Sequence, residues 1–116
     1  MRISSLVLYA IDVTATAEFY RQLGVDFHPA GPGRLVADVG GCRFAISPSS
    51  SGDTARQGGA GTVMPGIDVA SVDTAIGRVI SGGGTVLRAA ETLDWGRRAV
   101  LLDPDGRAVE IVERSG

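Results

Sequence analysis

Few side chains in this sequence could do chemistry alone, and one count decides much. His28 is the only histidine and Cys42 the only cysteine. A site drawing two histidines from one chain is excluded, as is an internal disulfide; the lone cysteine fits a reducing compartment. No nucleophile-elbow sequence occurs, and a single histidine offers no base for a serine triad. Glu110 stands out instead. It interrupts the apolar run Ala108–Val112, where a carboxylate could receive a cationic group, pair with an arginine such as Arg43, or serve as a general base. Tyr9 and Trp95 could stack on a planar ligand, although Trp95, next to a glycine in a loop before a strand, could equally cover the core. Arg97 and Arg98 adjoin it and in a strand point opposite ways, so at most one faces a ligand.

Other features read as structural. Asp103-Pro104-Asp105-Gly106 is acidic enough to suggest calcium, but Pro second and Gly fourth is the composition of a tight turn. Gly82-Gly83-Gly84 follows a helical pattern instead of opening one, so it does not cradle a phosphate. Cys42 falls on an apolar strand face and reads as a small buried residue. His28 reads as a surface or partly packed histidine.

The chain of 116 residues has the length of one ordinary domain. Hydrophobic residues make up 44% and charged residues 21%, which excludes a disordered or collagen-like chain. All eleven basic residues are arginine, scattered through a sequence of net charge −2, so no nucleic-acid-binding surface is expected. The apolar stretch from Ile3 to Ile11 is broken by Ser4 and Ser5, too short to span a membrane and without a small-residue cleavage pattern. Neither anchor nor signal peptide is expected, and the cytoplasm is the default location.

The elements that must position these residues occur twice. Ile3–Ile11 is strand-like; Asp12 or Thr14 then caps a helix ending near Leu23-Gly24, with Ala15, Phe19 and Leu23 on one face. Strands Val25–His28, Arg34–Val39 and Cys42–Ser47 follow, the last two joined by the hairpin signal Gly40-Gly41. The second half repeats the order. Thr62–Ile67 is extended, Ser71 caps a helix with the stripe Val72, Ala75, Ile76, Val79, Ile80, and Gly82 to Gly84 stop it. Strands at Thr85–Arg88, Arg97–Leu102 and Ala108–Val112 complete it. Val36 to Phe44 maps onto Leu101 to Val109 at a constant offset of 65 residues. The expected fold is α+β, two β-α-β-β-β modules whose curved mixed sheets surround a concave pocket. Module one covers 1–47, a Ser- and Gly-rich connector 48–60 that links the halves or moves over the pocket, and module two 61–116. By alternation Leu6, Leu8, Ala10, Cys42, Phe44 and Ile46 face the first helix, and Val63, Ile67, Val109 and Ile111 the second. Ser5, Val7, Tyr9, Arg43, Ala45 and Ser47, with Thr62, Met64, Ala108 and Glu110, face away.

This order, with Leu8-Tyr9-Ala10-Ile11-Asp12, Glu18-Phe19-Tyr20-Arg21-Gln22-Leu23-Gly24, Trp95-Gly96-Arg97-Arg98 and above all Asp103-Pro104-Asp105-Gly106-Arg107-Ala108-Val109-Glu110-Ile111, resembles the vicinal oxygen chelate superfamily of glyoxalase I, extradiol dioxygenases and bleomycin-resistance proteins. In its metal-using members, ligands come from the first and last strands of each module. Here those positions hold Ser5, Ala45, Thr62 and Glu110, and only Glu110 is of a ligand type. Since a divalent metal needs about three protein ligands, no metal or other cofactor and no catalytic residue is expected. The resemblance therefore implies the bleomycin-resistance-like branch: a homodimer binding a small molecule, a cationic or planar aromatic antibiotic, and conferring resistance by sequestration. Tyr9, Met64, Trp95 and Glu110 are the expected contacts and Arg43 and Arg98 the polar rim. The alternatives are a metal-independent isomerase or lyase with Glu110 as base, and a structural or regulatory partner with a vestigial pocket.

Overall fold

The computed structural model describes residues 3–49 and 63–115. The chain divides into two compact units, Met1–Asp53 and Thr54–Gly116.

The first unit runs β1 (Ser5–Ala10), α1 (Val13–Arg21), β2 (His28–Pro29), β3 (Leu35–Val39) and β4 (Cys42–Pro48). Its sheet has the order β1-β4-β3-β2, with β1 parallel to β4 and the other neighbours antiparallel. α1 starts where the Asp12 side chain accepts the Ala15 N–H at 2.9 Å, so Asp12 rather than Thr14 is the cap. Its inner face is aromatic. The rings of Phe19 and Tyr20, Tyr20 and Phe44, and Phe44 and Phe27 meet edge to face at 5.0, 5.1 and 5.5 Å, each pair adding attraction beyond its buried area. The β3–β4 hairpin turns on Gly40 and Gly41, both at positive φ, and the Gly41 N–H donates to Asp38. Glycine alone takes that geometry at both central positions without strain.

The second unit runs β5 (Gly66–Asp68), α2 (Val72–Ser81), β6 (Thr85–Leu93), β7 (Gly96–Leu102) and β8 (Ala108–Arg114), in the order β5-β8-β7-β6 with β5 parallel to β8. Its core is aliphatic: Val72, Val79, Leu101, Val109 and Ile111 are fully buried. The first turn of α2 has two caps. Ser71 Oγ accepts the Thr74 N–H, and Glu113, reaching over from β8, accepts the Val72 N–H at 2.8 Å. The Asp103–Gly106 turn closes with Gly106 N–H donating to the Asp103 carbonyl. The buried Asp103 carboxylate accepts the Asp105 and Arg107 N–H groups and pairs with the Arg107 guanidinium. The fold is thus α+β, in two modules each made of a helix and a four-stranded mixed sheet.

Several local expectations are corrected. β2 covers only His28 and Pro29, paired with Val36 and Leu35, and Val25–Phe27 of the expected strand lie before it. Pro48 closes β4 and does not begin a connector; residues 50–60 of that connector, and Thr62, lie outside the described residues. β5 starts at Gly66, after Pro65, and Val63 is exposed instead of facing α2. Ile80 leaves the apolar stripe and is 57% exposed. Cys42, beside the hairpin turn, is partly exposed and not buried. β6 continues past Arg88 to Leu93 through two irregularities of register, which break the alternation that marks a strand. The offset of 65 relates β4 to β8. The strand before each is shifted, since Ala45 pairs with Val36 while Glu110 pairs with Val100, an offset one residue shorter. The longer 103–107 loop absorbs the difference, and a one-residue shift exchanges the two faces of β7 relative to the direct mapping.

Candidate functional site

The charged centre of the second unit follows from register. Val109, Ile111 and Glu113 on β8 point to α2, so Ala108, Glu110 and Val112 point away. On β7, Arg97 reaches Asp73 of α2 at 3.0 Å, and Arg98 is therefore on the Glu110 face. The two arginines separate as strand alternation requires. That face is apolar over much of its extent, with Val100 and Val112 buried, and so is the corresponding face of the first unit at Val36 and Ala45.

Arg98 holds two carboxylates. Its Nη2 lies 3.2 Å from Glu110 Oε2 and its Nε 3.7 Å from Glu91 Oε1. Glu91 is its direct cross-strand partner on β6, whereas Glu110 is diagonal, paired with Val100 one step along the same face. Across the sheet the order is Glu91, Arg98, Glu110, so one guanidinium serves two carboxylates and the cluster keeps a net negative charge. The partner of Glu110 is thus Arg98 and not Arg43. Glu91 was not among the residues singled out from sequence. The signal for it was the extension of β6, hidden by Arg88-Ala89-Ala90, which has no strand alternation. Gly66 is opposite Glu110 on β5, and a Cβ there would come 3.8 Å from Glu110 Oε1, so this side of the carboxylate is left free of a side chain.

The other expected contacts are dispersed. Met64 is half exposed just before Pro65, whose carbonyl accepts the Glu110 N–H. Trp95 occupies the two-residue turn of the β6–β7 hairpin, 42% exposed, with the Arg114 guanidinium 5.6 Å over its ring. Four ladder steps, about 13 Å, separate Gly96 beside it from the Val100–Glu110 pair. Tyr9 and Arg43 belong to the first unit, both exposed and on one face of β1 and β4, with Tyr9 opposite Ser47 and Arg43 opposite Ser5. His28 is exposed on β2.

The family model of the Glyoxalase/Bleomycin resistance protein/Dioxygenase superfamily matches residues 2–111. The chain belongs to this superfamily. No curated protein matches it. Among solved structures, a glyoxalase/bleomycin resistance protein from Albidiferax ferrireducens T118 is similar at TM-score 0.76 and 24% identity, over 97% of this chain and 98% of that one. TioX from Micromonospora sp. ML1 is similar at TM-score 0.73 and 16% identity, over 99% and 100%. Oxidase ChaP-H1 gives TM-score 0.77 and 24% identity, over 99% and 97%. At these identities the glyoxalase-superfamily likeness is one of fold, and function rests on the site.

The residues present do not fit the metal that many members of the superfamily carry. Of the four ligand positions, Ala45 has no donor atom and is fully buried, Ser5 offers a neutral hydroxyl, and Thr62 lies outside the described residues. Glu110 is the one carboxylate, and Arg98 already engages it. Among the described residues no three His, Cys, Asp or Glu side chains are grouped as a metal site. No described helix is long and apolar enough to cross a membrane.

Proposed function

We propose that this glyoxalase-superfamily chain is a non-catalytic binding protein of the bleomycin-resistance-like, metal-free kind, which sequesters a cationic or planar aromatic small molecule of the antibiotic class. One observation carries the reading: where the superfamily places a metal ligand, Glu110 is tied to a guanidinium and shares it with Glu91. A cluster with two carboxylates and one arginine attracts a cation but lacks the donor set for Lewis-acid chemistry. Sequestration needs no reacting group, since a stoichiometric host lowers the free concentration of its ligand by mass action. Trp95 and the half-exposed Met64 in the second unit and, separately, Tyr9 in the first present exposed apolar surface of the kind that planar ligands favour. The protein is proposed to act as a homodimer, as the superfamily resemblance implies, in the cytoplasm, the default location for this sequence.

A second reading, a metal-independent isomerase or lyase with Glu110 as base, draws on Glu91, a second carboxylate brought to Arg98 from β6. The ion pair counts against it, because Glu110 Oε2 would have to leave Arg98 to accept a proton.

The test is a titration of purified, metal-analysed protein with DNA-targeting antibiotics, followed by fluorescence of Trp95, the only tryptophan. The expected result is saturable quenching at one ligand per protomer, with the compound recovered unchanged and no metal bound. Conversion of the compound would establish the enzyme reading. No response across the panel, or stoichiometric bound metal, would overturn the sequestration reading and return the question to catalysis.

A further inference from the structure

The first unit contains a depression unrelated to the Arg98 cluster. It has a volume of about 670 Å³ and lies between the start of α1 and the β2–β3 loop, within the size range of small-molecule sites. Its walls are mainly apolar, from Ile11, Val13, Leu35 and Pro48, with Arg34 and Asp12 as the charged groups. Arg34 has a fixed root: its N–H donates to the Gly31 carbonyl and its carbonyl accepts the Ala30 N–H. Its guanidinium has no ion-pair partner among the described residues. The Nε is buried and no described group accepts its proton. Arg97 also has a buried Nε that no described group accepts, but its terminal nitrogens bond Thr92 and Asp73. Arg21, Arg98, Arg107 and Arg114 have carboxylate partners, while Arg43, Arg78 and Arg88 are exposed to water.

A buried donor of a charged group costs more to leave unmatched than a neutral one, so an Arg34 Nε that no described group matches, beside an apolar depression, favours an acceptor supplied by a ligand. We infer that this depression is a binding site for a small monocarboxylate with an apolar body, its carboxylate held by the Arg34 fork and its body against Ile11, Val13, Leu35 and Pro48. The planar fork takes a carboxylate through two parallel hydrogen bonds. Asp12 on the same wall selects charge. Its carboxylate, already accepting from Ala15 N–H, repels a doubly charged phosphate more than a singly charged carboxylate. The ligand is thus opposite in sign to that proposed for the Arg98 cluster, and the two sites stand or fall separately.

The test uses the full, isotope-labelled chain titrated with naphthoate, neutral naphthamide and inorganic phosphate, followed by NMR at backbone amides and at arginine Nε–H groups. Naphthoate is expected to bind saturably at millimolar concentration or below and to shift Arg34 Nε–H with the Val13 and Leu35 amides. Naphthamide and phosphate are expected to bind at least about tenfold more weakly, and Arg34→Gln to weaken naphthoate by a similar factor. Arg34→Lys, which keeps the charge but loses the fork, falls between and carries the test should Arg34→Gln disturb the fold. Equal binding of naphthoate and naphthamide, tighter binding of phosphate, undiminished binding by both variants, shifts centred on Arg98, or no saturable shift would each overturn the inference.

Discussion

The Arg98 guanidinium reaches diagonally across the β7–β8 ladder to Glu110, 3.2 Å away, past its direct partner Val112. Glu91, the cross-strand partner on β6, lies on its other side at 3.7 Å. Antiparallel register makes this possible, because residues two apart on adjacent strands share a face within reach of a long side chain. Both members of the Arg98–Glu110 pair are partly exposed, so Glu110→Gln is expected to change stability by less than about 1 kcal/mol. The same substitution should weaken a bound cationic ligand about tenfold, whereas Arg98→Gln, which leaves two unmatched carboxylates, should strengthen it. Urea unfolding and calorimetric titration of both variants separate the two effects.

Asp103 is the opposite case, a carboxylate with no exposed surface whose oxygens serve two backbone N–H groups and Arg107. Asp103→Ala leaves three donors without their acceptor in the β7–β8 turn. A loss of about 3 kcal/mol is expected, read from the midpoint of urea unfolding. Asp103→Asn, which keeps one acceptor oxygen, should lose less.

Gly96 begins β7 at φ 153°, and a Cβ there would overlap the Glu113 carbonyl oxygen on the adjacent strand. Backbone cannot yield as a flexible side chain can. Gly96→Ala is expected to cost about 3 kcal/mol or more, seen as a lowered thermal midpoint. Gly77→Ala, on the exposed face of α2 where a Cβ meets nothing within 4 Å, should stabilise by about 0.5–1 kcal/mol.

The two caps of α2 satisfy different donors, Thr74 N–H from Ser71 and Val72 N–H from Glu113. Ser71→Ala and Glu113→Ala should each cost about 1 kcal/mol. Amide hydrogen exchange distinguishes them: the first should speed exchange at Thr74, the second at Val72.

Sequence by itself determined what depends on neighbours along the chain. Ser71 is recognisable as a cap, and Asp12 as one of two candidates with Thr14, because a cap binds an N–H three residues on. Gly40-Gly41 and Asp103–Gly106 are recognisable as turns because their dihedrals belong to the residues themselves. The period-two pattern of Val109, Glu110 and Ile111 puts Glu110 on the face away from α2 without any structure. The repeat of the whole unit, and with it membership in the superfamily, was legible for the same reason.

Only the tertiary structure decided what depends on register between strands. Alternation shows that Arg98 and Glu110 could share a face, but not that they meet, nor that Glu91 joins them, because the irregular β6 and the one-residue shift of β7 are properties of pairing between strands. Nor could sequence separate Trp95 from Glu110, since both stand near Arg98 in different senses, one along the chain and the other across the sheet. The same holds for Arg34. Nothing in Gly33-Arg34-Leu35 distinguishes it from the other arginines, and only the folding of α1 beside the β2–β3 loop leaves its Nε buried without an acceptor among the described residues.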